Sequence, residues 1–361
     1  MIAGGASAAS WPLLSAGLAA MAVAAVILAI LLWTGWAWRL AVDQPNHRSM
    51  HQRPTPRSGG WGVTPAAALS IVLLAPALHY VAWLMLVLAA VSFIDDRRGL
   101  SARYRFGCQL LAAGALLAGS PGGVAGLPWP WLSAPVLVVA VVWTTNLYNF
   151  MDGADGLAGG MAVSGFGALA LAALPTEPAL ACACAALAGA ALGFLFFNLP
   201  PARLFLGDAG SIPLGFAVAA LSLIGWRLGC WPWWVPLTGF APFLLDATTT
   251  LLRRAARREK VWEAHREHFY QRMMLMTGDR RRVLFQWYAL MLAGNAVAWL
   301  ACRVAATADA PAGHGRHALA SFAMCALWFV VLVWLGRRVD RRWQVHSSVS
   351  AQESAGSAGK Q

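Results

Sequence analysis

The chain has 361 residues, of which 59% are hydrophobic and only 12% carry a charge. A soluble domain has about 25% charged residues, so this chain has roughly half the charge that keeps a globular surface in water. The composition excludes a soluble enzyme, a disordered chain and a small secreted domain held by disulfides. It indicates an integral membrane protein.

Apolar runs long enough to cross a bilayer as helices recur along the chain. Because these runs are continuous rather than alternating, helices are favoured over a β-barrel. We predict an all-α polytopic membrane protein of about eleven transmembrane helices. The predicted spans are residues 12–38, 61–79, 81–94, 106–120, 131–149, 157–174, 179–197, 212–226, 233–252, 283–302 and 318–336.

The basic residues predict the orientation of these helices. With the N-terminus outside (periplasmic) and the C-terminus in the cytoplasm, 24 of the 27 Lys and Arg residues lie in cytoplasmic segments. This asymmetry follows the positive-inside rule. The excess of basic residues behind the formal net charge of +12 is therefore assigned to the cytoplasmic face of the membrane. No nucleic-acid partner is expected.

The domain organisation is simple. Residues 1–346 are predicted to form a single integral-membrane domain, with a retained first span. Residues 347–361, rich in Ser, Ala, Gly and Gln, are predicted to form a disordered tail. The six cysteines lie in or beside apolar runs without metal-ligand spacing, which favours packing roles.

Six of the 15 acidic residues lie in or beside apolar runs, and five of them share the predicted cytoplasmic face. Acids in such surroundings suggest function, and carboxylates from separate segments suit Mg²⁺. Asp152 and Asp155 are three residues apart and would face the same way on a helical turn. For any single pair of these acids, the alternative interpretation is that they cap helix ends at the membrane interface. The six are Asp95, Asp96, Asp152, Asp155, Asp208 and Asp246.

Basic residues accompany these acids. The loop 253–282 carries His265, Arg266 and His268, and the two histidines could form part of a zinc site. The absence of a nearby Cys or third His in the sequence, and the neighbouring arginines, argue for an anionic ligand instead. Arg105 could bind phosphate or anchor its span at the headgroups. Gly59-Gly60 would allow close approach of another backbone segment.

Acids suited to Mg²⁺ and cations suited to phosphates favour phosphoryl transfer at the membrane. An ion-coupled transporter is the main alternative, because intramembrane carboxylates also mark ion pathways. Transporter sites lie near the midplane and often between repeats, whereas these acids share one face and no internal repeat is apparent. An inactive scaffold is a third reading.

Five motifs resemble those of the polyprenyl-phosphate N-acetylhexosamine-1-phosphate transferases, a glycosyltransferase family 4 group that includes the phospho-MurNAc-pentapeptide translocases. They occur in the family's order over about residues 43–272. They are Asp43-x-Pro-Asn-x-Arg-Ser-x-His51 with Pro54-Thr-Pro-Arg-x-Gly-Gly60; Asp95-Asp96; Asn146-x-x-Asn149-x-x-Asp152-Gly-x-Asp155-Gly; Phe205-Leu-Gly-Asp-Ala-Gly-Ser211; and His265-Arg-x-His268-x-Tyr-Gln-Arg272.

The resemblance implies transfer of a sugar-1-phosphate from a UDP-N-acetylhexosamine to undecaprenyl phosphate, giving undecaprenyl-diphospho-sugar and UMP. The enzyme would work in the bacterial inner membrane with its active site facing the cytoplasm, using Mg²⁺ or alternatively Mn²⁺. The last motif resembles enzymes that begin O-antigen or other cell-envelope polysaccharides. The sugar (GlcNAc, GalNAc, FucNAc or QuiNAc), a one-step or covalent two-step mechanism, and a homodimer are all left open.

The resemblance also implies roles for individual residues. Asp208 matches the family's Mg²⁺ ligand, and Asp95 and Asp96 match its essential acid pair. The remaining matches are to substrate-binding positions. These are Asn149, Asp152 and Asp155 near the nucleotide and its phosphates, Arg105 at a phosphate, and His265, Arg266 and His268 at the sugar diphosphate.

Overall fold

The computed structural model describes residues 3–45, 53–261, 265–306 and 314–358. Within these ranges the chain is almost entirely helical, with one pair of very short strands. The helices are α1 Ala3–Trp33, α2 Trp36–Leu40, α3 Gly60–Leu74, α4 His79–Arg98, α5 Ala102–Gly119, α6 Pro130–Phe150, α7 Leu157–Ala173, α8 Pro178–Asn198, α9 Asp208–Arg227, α10 Trp234–Gly239, α11 Ala241–Ala256, α12 Phe269–Thr277, α13 Arg280–Ala306 and α14 His314–Ala358. The strands are β1 Val42–Asp43 and β2 Thr55–Pro56.

The helices confirm an all-α, multi-pass membrane protein. In the described part of the chain, seven helical segments are long and apolar enough to cross a membrane. Two further apolar helices, Gly60–Leu74 and Leu157–Ala173, are shorter. Each of the eleven predicted spans coincides with helical structure, while their number as membrane crossings and their orientation stay predictions.

Some helix boundaries differ from the predicted ones. The first predicted span is interrupted after Trp33, because Gly35 adopts a left-handed conformation (φ 76°) before α2 begins. The ninth is broken at Phe240, and Pro242 lies in the first turn of the new helix α11, where its missing N–H costs nothing. The last helix continues to Ala358, through most of the tail for which disorder remains a prediction.

The core lies around α8 and α9. In the most apolar 18 residues of each span, 83% of the residues are buried for Asp208–Arg227, against 17% for Gly315–Val349 at the periphery. Helix α1 packs closely on α8, and a Cβ at Gly189 or Gly193 would collide with the α1 backbone. This contact follows the small-residue packing of membrane helices, which have no water-driven hydrophobic force between them.

Backbone pairing joins two loops at one end of the bundle. β1 and β2 are antiparallel, and the chain after β2 pairs with the segment before α9. Phe205 N donates to Pro56 O, and Gly59 N donates to Phe205 O, both at 2.8 Å. A Cβ on Gly60 would overlap the backbone of Gly210, so the close approach predicted for Gly59-Gly60 is present.

Candidate active site

Asp208 meets Arg57 where these loops pair. Asp208 is the first residue of α9, a position where the helix dipole favours a carboxylate. Arg57 Nη2 donates to Asp208 Oδ1 at 3.2 Å. Gly207 allows the tight entry into α9, because its φ is +70° and its α-carbon lies against Arg57. The paired loops thus hold an arginine against the predicted metal ligand.

Arg57 is surrounded by carboxylates. Burial alone would lower the pKa of Arg57, but the charges of Asp208, Asp96, Asp43 and Asp152 outweigh it and raise this pKa. A guanidinium is hence held as a fixed cation among several acids that come from four separate segments. The centre of the acidic cluster is an arginine, which no isolated motif would reveal.

Asp152 and Asp155 lie in the connection between α6 and α7, which is irregular rather than a helical turn. Both line a small polar cavity of about 90 Å³ together with Arg57. Asp155 Oδ2 accepts from Ala202 N at 3.1 Å. Burial raises the pKa of Asp152 well above its ordinary value; Arg57 opposes this rise, and Asp208 adds to it.

Asp95 lies in the last turn of α4 and organises the turn that follows. Its Oδ1 accepts from Leu100 N at 2.7 Å, and its Oδ2 accepts from Arg105 Nη1 at 2.9 Å. The Arg105 side chain is 43% exposed, so this ion pair can open at little cost when a stronger anion approaches. Asp96 is exposed at the same helix end.

Asn149 links the end of α6 to the beginning of α9. Ser211 Oγ donates to Asn149 Oδ1, which connects the two helix ends that carry Asp152 and Asp208. Asn146, one turn earlier, donates to Gln109 Oε1 at 2.6 Å. These amides form a continuous polar wall between α5, α6 and α9.

Asp246 anchors the histidine segment, which comprises residues 265–268. Its Oδ1 lies 3.1 Å from His268 Nδ1, and it also accepts from Phe269 N at 3.0 Å. Asp246 therefore caps the first turn of α12 while it orients the imidazole. The His265 ring lies 4.8 Å from that of His268, and burial, with the nearby His268 and Arg254, lowers the pKa of His265 to about 4.

Ion pairs fasten this segment to α14. Arg253 makes two contacts with the carboxylate of Asp340, at 2.8 and 2.6 Å, and Arg272 contacts the same carboxylate at 2.9 Å. Glu267 pairs with Arg254 and Arg257. Bidentate arginine contacts fix geometry as well as charge, so α11, α12 and α14 hold the histidines as a unit.

The polar groups converge on a cavity of about 520 Å³. Six of the ten predicted site residues line it. They are Asp95, Arg105, Asn149, Asp208, His265 and His268. An apolar groove of about 490 Å³ adjoins this cavity and shares Phe106, Asn146, Phe150 and Val261 with it. The site therefore joins a polar, charged chamber to a hydrocarbon-lined channel.

Comparison with known proteins identifies the relatives of this arrangement. The family model described as glycosyl transferase family 4 matches residues 78–226. A Bacillus subtilis protein named probable undecaprenyl-phosphate N-acetylglucosaminyl 1-phosphate transferase is 29% identical over 249 residues, covering 65% of this chain and 70% of its own length. Both matches agree with the family that the sequence motifs resemble.

The chain is also similar to two phospho-N-acetylmuramoyl-pentapeptide-transferases. The Synechococcus elongatus protein is 34% identical over 224 residues, covering 55% of this chain and 60% of its own length. The Heliobacterium modesticaldum protein is 38% identical over 202 residues, covering 48% and 62%. The chain thus spans about 60% of the length of these two relatives.

The other four predicted residues lie around the main cavity or beyond it. Asp152 and Asp155 line the small cavity, and Gly153 between them lines both. Asp96 and Arg266 line neither cavity. Asn46, Arg48, Ser49 and His51 of the first motif lie outside the described residues.

Three positioning residues had no assigned role in the sequence analysis. Arg57 lies in the first motif, and Asp246 is an acid inside an apolar run, so both carried a signal. Asn198 carried none. It accepts from Gly156 N and donates to Leu204 O, both at 2.8 Å, and so clamps the loop of Asp155 to the loop before Asp208.

Proposed function

We propose that the chain transfers a sugar-1-phosphate from a UDP-N-acetylhexosamine to undecaprenyl phosphate, releasing UMP and forming undecaprenyl-diphospho-sugar. The observation that carries this proposal is the shared wall of the polar cavity and the apolar groove. A water-soluble dianionic donor and a long isoprenoid acceptor need two such environments that meet at the reacting phosphates. The names of the relatives point to the same chemistry.

The polar cavity supplies groups for the donor. Arg105, His265 and His268 lie on its wall, and a guanidinium with two imidazoles suits a diphosphate. Because the pKa of His265 is lowered to about 4, this imidazole is neutral near pH 7 in the absence of an anion. Bound phosphate charge would raise that pKa and draw a proton onto the ring.

The apolar groove supplies the surface for the acceptor. It is lined by Leu110, Val139, Val142, Leu251 and Leu252 among others, and Trp143 forms part of its wall. An isoprenoid chain lying there would place its phosphate at the shared residues Asn146 and Phe150. The lipid would reach the site from the bilayer without leaving hydrocarbon surroundings.

The residues also fit a Mg²⁺ ion, which we propose as the cofactor. Mg²⁺ is usually held by one or two carboxylates together with substrate phosphates and water, so a preformed cage is not required. Within the described residues no three acidic, His or Cys side chains form such a cage. Burial raises the pKa of Asp152 and the neighbouring Asp208 adds to this rise, so a divalent cation beside the two carboxylates would favour their ionised forms. Asp208 would hold the ion, with Asp152 nearby.

Bound Mg²⁺ would neutralise the diphosphate as its bridging bond breaks. The chain itself orients the partners, with Arg105 and the histidines placed for the donor phosphates and Asn149 between α6 and α9. A lipid phosphate oxygen attacks the β-phosphorus, and UMP leaves. Direct displacement needs no protein nucleophile; a covalent phospho-sugar on an aspartate is the two-step alternative.

We favour the hypothesis of a transferase over that of an ion-coupled transporter. The carboxylates lie where helices end, at Asp95, Asp152 and Asp208, and the relatives are transferases by name. We place the protein in the bacterial inner membrane with this end of the bundle in the cytoplasm, from the distribution of Lys and Arg. Its product would begin O-antigen or another cell-envelope polysaccharide.

A reconstituted assay tests the proposal. Purified protein is incubated with Mg²⁺, undecaprenyl phosphate and each of a panel of UDP-N-acetylhexosamines, and UMP is measured. We expect lipid-dependent UMP release with at least one sugar, and loss of more than about 100-fold in Asp208→Asn, because transition-state charge stabilisation is removed. A burst of UMP without lipid would favour the covalent route. UMP release that requires no lipid and persists in Asp208→Asn would contradict the proposal.

A further inference from the structure

A separate cavity of about 510 Å³ lies among α11, α12, α13 and α14. Most of its wall is apolar, with Leu245, Met273, Leu290 and Leu335 among the lining residues. It shares no lining residue with the polar cavity or the apolar groove. The reaction proposed above gives this space no occupant.

Three arginines lie on the wall of this cavity. Arg282 comes from the first turn of α13, and Arg338 and Arg342 come from one face of α14, four residues apart. None of the three forms an ion pair with a carboxylate in the part of the chain that the structure describes. Their neighbours Arg253 and Arg272, by contrast, are both paired with Asp340.

The acids close to this cavity are already engaged. Asp246 lines it but is bound to His268 and to backbone N–H groups of α12. Asp340 accepts from two arginines that are not on the cavity wall. Asp279 accepts from the backbone N of Arg282 at 3.0 Å, and Arg338 stacks over the ring of Trp334. The cavity therefore combines hydrocarbon walls with three arginine side chains that form no ion pair within the described residues.

We propose that this cavity binds an anionic phospholipid. Its acyl chains would cover the apolar wall, and its phosphodiester would meet Arg282, Arg338 and Arg342. Basic pockets between transmembrane helices are suited to such headgroups. Free phosphate would leave the apolar wall uncovered, and a zwitterionic lipid would not compensate three arginines. This proposal goes beyond the transfer reaction and does not depend on it.

The site lies directly behind the histidine segment. Phe269 and Met273 of α12 line it, and Phe269 follows His268, which lines the polar cavity. A bound lipid would pack against α12 and stabilise this helix. Thermal unfolding of the whole protein therefore reports occupancy without any measurement of catalysis.

The test uses the full chain purified in detergent, titrated with dioleoyl phosphatidylglycerol, with binding followed by native mass spectrometry and by the unfolding midpoint. Arg338→Gln/Arg342→Gln is the test variant. Arg337→Gln/Arg341→Gln is the matched control, because it removes the same charge from the same helix but not from the cavity wall. Arg282→Gln tests the facing helix.

We expect phosphatidylglycerol to bind and raise the midpoint, with roughly 30-fold weaker binding in Arg338→Gln/Arg342→Gln, from two arginine–lipid contacts. Binding should also weaken in Arg282→Gln and stay unchanged in the control. Equal losses in test and control variants would mean general surface charge and overturn the proposal. An equal shift of the unfolding midpoint with phosphatidylcholine or with glycerol phosphate would also overturn the proposal. So would displacement of phosphatidylglycerol by undecaprenyl phosphate, because the cavity would then belong to the acceptor.

Discussion

The carboxylate of Asp246 lies 3.1 Å from Nδ1 of His268, and both residues are almost fully buried, at 1% and 2% exposure. A carboxylate oxygen accepts, so in this contact Nδ1 of the imidazole donates. An acid inside an apolar helix thus fixes the orientation of a cavity histidine.

Replacing Asp246 tests this relationship. In Asp246→Asn the amide can no longer accept from His268 and from the α12 backbone N–H groups together, so at least one buried donor loses its partner. We expect roughly 1–3 kcal/mol lower stability and about 10- to 100-fold lower kcat/KM, by analogy with lost orienting partners of ligating histidines. Steady-state UMP release and thermal unfolding measure the two effects.

Thr250→Val is the control for Asp246→Asn, because it removes only the Thr250 hydrogen bond to Asp246, at 3.2 Å. It should lower stability slightly and leave kcat/KM within about threefold, as expected for one neutral hydrogen bond. If both variants lose activity equally, His268 orientation is not the function of Asp246.

Mg²⁺ binding should depend on pH through Asp152. Its raised pKa means that the folded protein without metal retains a proton there, so its stability contribution is present at low pH and is lost as pH rises through this pKa. Metal binding requires the carboxylate and releases the proton. The gain in unfolding midpoint on adding Mg²⁺ should therefore grow as the pH rises through the pKa of Asp152.

Asp152→Asn should flatten this pH dependence, and Asp279→Asn, at an exposed acid in the turn before α13, should leave it unchanged. Calorimetry in two buffers of different ionisation enthalpy measures the released proton directly. A Mg²⁺ effect that is flat with pH in the wild-type protein would contradict this linkage.

Gly60 is the point of closest contact between α3 and α9. A Cβ there would overlap the backbone of Gly210, and relief would require the loops carrying Arg57 and Asp208 to separate. We expect Gly60→Ala to cost about 1–3 kcal/mol or more and to reduce activity in proportion to the displacement of Asp208. Thermal unfolding and UMP release provide the two readouts.

Gly114→Ala is the matched control for Gly60→Ala. Gly114 also lies in a helix, α5, but a Cβ there meets nothing within 4 Å. This change should be neutral or slightly stabilising, since alanine favours a helix over glycine by about 1 kcal/mol. Equal destabilisation by both changes would show that the α3–α9 contact has no special constraint.

Hydrophobicity predicted most of the helical segments, because a membrane helix needs a long apolar run whatever its neighbours are. The breaks at Gly35 and Phe240 were not predicted, since apolar residues continue through both. The short helix α12 was hidden in a polar loop, where it depends on the cap provided by Asp246 from another helix.

The candidate site also contains residues that the sequence predicted and residues that it did not. Motif spacing selected Asp95, Asn149 and Asp208, which line one cavity. It could not show that Arg57 lies against Asp208, because 151 residues separate the two and only folded backbone pairing brings them together. Asn198 joins two loops through hydrogen bonds whose partners a sequence does not reveal.

The most direct test of the account follows the β-phosphorus of the donor. UDP-N-acetylhexosamine labelled at the α- or the β-phosphate is incubated with the purified protein, Mg²⁺ and undecaprenyl phosphate, and the lipid and water-soluble products are separated. The account predicts that β-label and sugar move together into the lipid while α-label leaves as UMP in equal amount, and that Asp208→Asn abolishes both. Retention of the β-label in water-soluble products, with every active UDP-sugar, would contradict it.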